Sequence, residues 1–175
     1  APDEAYEEGT MAFIESILTL ETDFLGSLYQ FVGEIKTHGM INSLVQLILK
    51  NTVPGVPDTF QGNELWNLDF VDPDNRKPVD YSRLSRQLNR LQKESGKDRK
   101  QLLLKLWNAP EDGKIKQWIH HLLLGERSHS ESLFHKGDYT PLRIKGAARD
   151  HVIAFHRHYK DEHLVVILPL NLAAM

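Results

Sequence analysis

The chain has 175 residues, of which 41% are hydrophobic and 26% are charged, and its formal net charge is −3. This length and composition are ordinary for one globular domain with a small appendage. The weak negative charge gives no electrostatic reason to expect nucleic acid or an anionic membrane as a partner. The sequence has no cysteine, which excludes disulfides, thiolate metal sites and a cysteine nucleophile, and no apolar run approaches the ~20 residues of a membrane-spanning helix.

Apolar residues recur every three or four positions through residues 3–50, the spacing that places them on one face of a helix. The pattern predicts three helices in this stretch. Thr22 or Asp23 is expected to cap the second helix, and the pair His38–Gly39 to separate it from the third. Pro54 and Pro57 are expected to end this helical section.

Residues 52–80 differ in character, because they contain four prolines and show little periodicity. Within them the sequence VPDTFQG, residues 56–62, is compatible with one short strand, and we expect an ordered loop around it. A long loop of this kind in a compact domain is more often functional than accidental.

Helical periodicity returns after this loop. It predicts helices over residues 81–93, 99–107 and 113–124, the last with a possible extension toward Leu133. The final stretch, residues 139–175, changes to short β-rich runs separated by turn-forming segments, which predicts a small antiparallel meander. The expected fold class is therefore α+β and mainly α-helical.

The sequence GVPDTFQGNELWNLDFVDPDNRKPVD, residues 55–80, resembles the eighth strand and following loop of α-amylase-type (β/α)8 barrels. In those barrels an aromatic residue, a Gln or Tyr and a Gly precede an acidic residue, and these positions match Phe60, Gln61, Gly62 and Glu64. The DPDNRKPVD that follows closely resembles maltooligosyltrehalose synthases. Phe60 departs from the more usual Tyr of that family and so lacks a hydroxyl.

The resemblance extends over nearly the whole chain. Residues 3–18 resemble the helix before the eighth strand, whereas residues 112–124 and 132–159 resemble the helix and first β-segment of the family's C-terminal region. The chain ends at LPLNLAAM, where family members usually continue through more strands. The resemblance implies the end of a catalytic barrel at residues 1–95, a helical connector at 96–137, and the start of a C-terminal β-domain at 138–175.

Members of this family are cytoplasmic intramolecular transglycosylases of trehalose synthesis. They convert the reducing-end α-1,4 linkage of a maltooligosaccharide into an α,α-1,1 linkage, forming maltooligosyltrehalose. The resemblance therefore implies a maltooligosaccharide, an α-1,4-glucan, as the partner, a cytoplasmic location and no organic cofactor.

Such chemistry requires two carboxyl groups that flank the scissile glycosidic bond, and the superfamily adds a third. In the family these carboxylates follow the fourth, fifth and seventh barrel strands, so the resemblance implies that this chain contains none of them. Asp58 and Glu64 are a tempting pair, but nothing in the sequence around them distinguishes an acid from a nucleophile. We therefore predict no catalytic residue here.

Loops at the carboxyl ends of barrel strands build the active site, so the loop after the eighth strand is expected to bind substrate. The candidate sugar-binding residues are Gln61, Gly62, Asn63, Glu64, Asp74, Asn75 and Arg76. Asp72 and Arg76 have an alternative role in locking the loop through Asx turns and a salt bridge. Trp66 is expected to be buried rather than to stack on a sugar ring.

The nine histidines do not predict a metal site. His120 and His121 are adjacent on a helix and point to different faces, whereas His156 and His158 share one face of a strand. Without cysteine or an HExxH pattern, no metal is expected.

Two other functions remain open at this stage. One is a non-catalytic helical interaction or carbohydrate-binding domain, and the other is a different α-glucan enzyme of the superfamily. In either case the apolar helix faces predict self-association, a homo-oligomer of the chain.

Overall fold

Helices occupy the first three quarters of the chain, and a small sheet follows them. The structure is a computed structural model that describes residues 3–19, 22–69, 71 and 76–174. Within this part the α-helices are α1 (Glu4–Ile17), α2 (Asp23–Thr52), α3 (Tyr81–Ser95), α4 (Arg99–Asn108), α5 (Lys114–His129) and α6 (Glu131–Lys136). The strands are β1 (Asp138–Pro141), β2 (Val152–Tyr159) and β3 (Glu162–Pro169). The predicted α+β fold, mainly helical with a small antiparallel sheet, is confirmed.

The chain divides into two compact units, Ala1–Ile41 and Asn42–Met175. In the first unit α1 begins at a cap in which the Asp3 carboxylate accepts a hydrogen bond from Tyr6 N at 3.1 Å. Thr22 caps α2, as predicted, since its Oγ1 accepts a hydrogen bond from Leu25 N at 3.4 Å. Side-chain oxygens at such positions satisfy amide groups that have no partner within the helix.

The prediction of a helix break at His38–Gly39 is wrong, because α2 continues through both residues to Thr52. A glycine inside a helix costs only about 1 kcal/mol relative to alanine, and the apolar spacing continues on both sides of it. The predicted end before Pro54 is confirmed: Val53 N still donates to Leu49 O at 2.9 Å, and the helix has stopped.

The core of the second unit lies where α3, α4, α5 and the last part of α2 meet. Its buried side chains are Leu44, Leu91, Leu102, Leu106, Ile115 and Trp118. Full burial of one such leucine stabilises the fold by about 2 kcal/mol. Asp80 and Asp98 cap α3 and α4 by accepting hydrogen bonds from the amides of Arg83 and Gln101. The helical pattern also extends past Leu124, as predicted, with Ser130 between α5 and α6.

The three strands form an antiparallel sheet in the order β1-β2-β3, which confirms the predicted meander. Phe155 and Arg157 are buried on one face of β2, and His156 and His158 lie on the other. The short strand that the sequence allowed at residues 56–62 does not form: the segment is irregular and ends in a turn. A strand needs a hydrogen-bonded neighbour, and no described segment pairs with this one.

Arg157 joins the sheet to the helices. Its side chain is 1% exposed and donates hydrogen bonds to five main-chain carbonyl oxygens, with N···O distances of 2.9–3.2 Å. The acceptors are Thr52, Leu133, Phe134, Gly137 and Asp138. The carbonyl groups at a helix end have no partner within the helix, so this arginine satisfies the ends of α2 and α6 together.

None of the described helices has both the length and the apolar character needed to cross a membrane.

Candidate functional site

Trp66 holds the loop that carries the candidate sugar-binding residues against the helical core. Its Nε1 donates to the carbonyl oxygen of Pro110 at 2.7 Å, and its ring packs against the buried cluster of the second unit. The amino group of Lys116 lies 5.7 Å from the centre of the Trp66 ring and donates to the carbonyl oxygen of Leu65 at 2.9 Å. The ring and the N–H group of Trp66 thus make contacts within the chain, which favours a structural role for this residue, as the sequence led us to expect.

Gly113, at the start of α5, allows a close approach to this loop. It has φ +73°, and a Cβ atom at this position would lie 2.9 Å from Trp66 N and 3.1 Å from Leu65 Cβ. Only glycine fits without displacement of the backbone, because other residues are strained at this φ and would collide with the loop. The start of α5 therefore fixes the position of residues 65 and 66.

Two of the candidate residues, Gln61 and Gly62, line a shallow hollow of about 210 Å³. Its other wall contains Asp69 and Lys77, whose carboxylate and amino groups are 4.0 Å apart. Gly62 has φ +84°, which favours glycine, and a Cβ atom at this position would lie 3.3 Å from Val79 Cγ2. The hollow offers an amide, a carboxylate and an ammonium group, which are hydrogen-bonding partners for sugar hydroxyls.

Asn63 lines a different hollow, of about 240 Å³, between α2, the loop and α5. Its Nδ2 donates to Phe60 O at 3.2 Å. The polar residues lining this hollow are Ser43, Gln46, Lys50, Thr59, Asn63, Lys116 and His120. Near it, the Oε2 atom of Glu64 is buried and has no hydrogen-bond partner among the described residues. The structure therefore places Gln61 and Gly62 at one hollow and Asn63, with Glu64 near it, at another.

Positive charge dominates the second hollow. Burial lowers the pKa of Lys116 from its ordinary value, and the nearby Lys50 lowers it further, while Glu64 opposes both effects only in part. Burial and then Lys50 also lower the pKa of His120, Glu64 opposes them in part, and Lys116 lowers it further. His120 is 6% exposed, and its Nε2 atom has no hydrogen-bond partner within the described residues.

The second hollow was not predicted from the sequence. His120 was interpreted only as an unsuitable metal ligand, and neither Lys116 nor Lys50 was singled out. A usable signal was present: Lys116 and His120 are four residues apart and so share one face of α5. What the sequence does not show is that Lys50, at the end of α2, lies near that face.

The remaining candidates are less informative. Asp74 and Asn75, with Asp72, lie outside the described residues. Arg76 is exposed, and it interacts with another group of the chain. Asp58 is also exposed, and it does not line the hollow that contains Asn63.

Three histidines meet on the open face of the sheet. Nε2 of His156 lies 3.0 Å from Nδ1 of His163, and the His158 ring is 4.6 Å from the His163 ring, centre to centre. The predicted common face of His156 and His158 is confirmed. In the part of the chain that the structure describes, no three or more His, Asp and Glu side chains are arranged to hold a metal ion.

Comparison with known proteins gives a consistent result. No family model matches the chain. The putative maltooligosyl trehalose synthase of Mycobacterium tuberculosis, in strains CDC 1551 / Oshkosh and H37Rv, is 35% identical over 166 residues, which are 95% of this chain and 18% of that protein.

Solved structures agree. A crystal structure of a maltooligosyl trehalose synthase matches 95% of this chain with a TM-score of 0.75 and 32% identity, and 21% of that protein is covered. The maltooligosyltrehalose synthase from Arthrobacter ramosus matches 98% of this chain with a TM-score of 0.77 and 30% identity, again over 21% of its length. The resemblance found in the sequence is confirmed, and the chain spans about one fifth of the length of these relatives.

Proposed function

We propose that this chain, which is related over nearly its whole length to a C-terminal segment of maltooligosyltrehalose synthases, serves as that segment of an intramolecular transglycosylase. The reaction converts the reducing-end α-1,4 linkage of a maltooligosaccharide into an α,α-1,1 linkage, in the cytoplasmic synthesis of trehalose. The observation that carries this proposal is the 35% identity over 95% of the chain. The same resemblance assigns residues 1–95 to the end of a catalytic barrel, 96–137 to a connector and 138–175 to the start of a β-domain.

The role that we assign to the loop is to contact sugar, not to break bonds. Gln61 and Gly62 supply an amide and an open main chain at one hollow, and Asn63 and Glu64 lie at or near the next. Arg76 is exposed on the same loop, and the resemblance adds Asp74 and Asn75. Hydrogen bonds to hydroxyl groups from such groups orient a substrate and strengthen as charge develops in the transition state.

The catalytic carboxylates, in this proposal, come from another part of the enzyme. A retaining mechanism needs two carboxyl groups about 5 Å apart, on either side of the scissile bond. Asp58 is exposed, whereas Glu64 is turned into a buried position beside the cationic groups of α2 and α5. This arrangement suits Glu64 to positioning within the loop.

A chimeric enzyme tests the proposal. The segment of the Arthrobacter ramosus synthase that aligns with this chain is replaced by these 175 residues, and maltopentaose is supplied as substrate. We expect the chimera to form the non-reducing maltooligosyltrehalose. Arg76→Ala and Gln61→Ala should lower kcat or raise KM without changing the unfolding temperature, and Lys100→Ala, an exposed position on α4, should change neither.

A chimera that folds and lacks activity would contradict the proposal. So would wild-type kinetics from both loop variants, which would leave the loop with a structural role only. The alternative, a non-catalytic carbohydrate-binding domain, predicts an inactive chimera in which the isolated chain still binds maltopentaose. Isothermal titration of the isolated chain distinguishes this outcome.

A further inference from the structure

The hollow between α2, the loop and α5 is lined by several side chains that carry hydrogen-bond donors, and the buried Nε2 atom of His120 has no partner within the described residues. Two lysines, Lys50 and Lys116, and the buried His120 are among its lining residues, and the Lys116 amino group also donates to Leu65 O. Ser43 of α2 and Thr59 of the loop, which carry hydroxyl groups, also line it. Such a set of donors around one small space is the arrangement with which proteins bind oxyanions.

We propose that this hollow is a binding site for a small tetrahedral oxyanion of the sulfate or phosphate class. The proposal does not rest on the transglycosylase assignment, because it uses only residues of this chain and their own chemistry. In this proposal Lys50 and Lys116 recognise the charge of the anion, and His120 donates a hydrogen bond to it from Nε2.

The charge balance favours an anion over a neutral sugar. The facing charged groups are Lys50 on α2, Lys116 on α5 and Glu64 on the loop. Two ammonium groups oppose one carboxylate, and at both Lys116 and His120 the influence of Lys50 exceeds that of Glu64. A dianion placed between the lysines would relieve their mutual repulsion and replace the water that burial has removed from Lys116.

The buried Nε2 atom of His120 is an independent indication that this hollow binds a ligand. This atom has no partner in the described chain, and buried polar atoms in folded proteins nearly always have one. The ring forms part of the wall of the hollow, so a bound oxygen atom is a suitable acceptor for an Nε2 proton.

The size of the space is sufficient. The hollow has a volume of about 240 Å³, well above the ~10–15 Å³ that one water molecule needs on this kind of measure. A sulfate ion with a few ordered waters fits within it, and the open side of the hollow allows exchange with solvent.

The experiment is a calorimetric titration of the 175-residue chain with sodium sulfate at pH 6.0, with chloride used to hold the ionic strength constant. Sulfate is chosen because its charge does not change between pH 6 and 8. We expect saturable binding of one sulfate per chain. Lys50→Gln should weaken it roughly tenfold or more, because a charged hydrogen bond is lost. The matched control is Lys100→Gln, which removes the same charge from an exposed position of α4 and should leave the affinity unchanged.

The pH dependence provides a second readout. Protonated His120 binds an anion more strongly than neutral His120, so affinity should fall from pH 6 to pH 8. His120→Gln should weaken binding at pH 6 and remove most of this dependence. Unfolding temperatures of all variants, measured without sulfate, establish that the titrated proteins are folded.

The inference would be overturned by an absence of saturable sulfate binding, or by equal losses in Lys50→Gln and Lys100→Gln, which would indicate general charge screening. Saturable binding of maltose in place of sulfate, lost in Lys50→Gln, would also overturn it and would identify the hollow as a sugar site.

Discussion

The guanidinium group of Arg157 donates a hydrogen bond from Nη1 to the carbonyl oxygen of Thr52 at 2.9 Å, although 105 positions separate the two residues in the chain. Thr52 is the last residue of α2, and Arg157 lies in the middle of β2. Arg127 completes the arrangement, since its Nη1 donates to Asn51 O at 2.8 Å. Two arginines thus fix the end of α2 immediately before the loop that carries the candidate sugar-binding residues.

Replacement of Arg157 should destabilise the chain strongly. Arg157→Gln leaves several buried carbonyl oxygens without a donor, and removal of a buried charged hydrogen-bonding group typically costs about 3–5 kcal/mol. Chemical denaturation measures the loss. Arg149→Gln is the matched control: Arg149 contacts Asp150 at 3.4 Å with both side chains largely exposed, and its removal should change stability by less than about 0.5 kcal/mol. Similar losses in both variants would refute the structural role of Arg157.

The glycine at the start of α5 provides a test of how the loop is held. Gly113→Ala should destabilise by about 2–4 kcal/mol, because alanine is strained at φ +73° and its Cβ would lie 2.9 Å from Trp66 N. Gly125→Ala, within the same helix, meets nothing within 4 Å and should stabilise by about 0.5–1 kcal/mol. Denaturant midpoints of the two variants should therefore move in opposite directions. A stabilised Gly113→Ala would show that the loop does not approach α5 as described.

Stability should decrease as the pH falls below the ordinary pKa of histidine. Burial lowers the pKa of His120 in the folded chain from 6.5, so in the window below 6.5 the unfolded chain binds more protons than the folded chain does. Acidification therefore favours unfolding in that window. We expect the loss of stability between pH 7.5 and pH 5 to be smaller in His120→Gln than in the unaltered chain. His135→Gln, at an exposed position of α6, should retain the full loss, and equal pH profiles for all three proteins would contradict the assignment.

The first unit exposes large apolar side chains. Phe13, Phe24 and Phe31 are 63%, 47% and 56% exposed, respectively, and exposed apolar surface promotes association. We expect sedimentation equilibrium to show self-association and an apolar dye to bind. Phe31→Gln should reduce both while changing stability by less than about 0.5 kcal/mol. A monomer that binds no dye would mean that these residues do not act as an association surface.

Local signals in the sequence were sufficient for much of the fold. The Thr22 cap, the apolar spacing of α3 to α5 and the common face of His156 and His158 all depend on near neighbours, and each was predicted. The break at His38–Gly39 was wrong because one glycine costs little in a helix whose apolar spacing continues. The strand that the sequence allowed at residues 56–62 does not form, because strand formation depends on a partner, which local sequence does not specify.

In the candidate site too, features set by the residue itself were predicted, and features set by the packing of distant helices were not. Trp66 was expected to be buried, since a large apolar ring favours the core, and the structure shows it partly buried against the core cluster. The cluster of Lys50, Lys116 and His120 was missed, because it depends on how α2 packs near α5. Spacing within α5 places only two of the three residues on one face.

Product chromatography after incubation with maltopentaose tests the central claim most directly, with the isolated chain and the chimeric synthase assayed side by side. The account predicts maltooligosyltrehalose from the chimera and neither isomerised nor hydrolysed sugar from the isolated chain, because we propose that the catalytic carboxylates lie in another part of the enzyme. Turnover by the isolated chain that is abolished by Asp58→Asn or Glu64→Gln would contradict it.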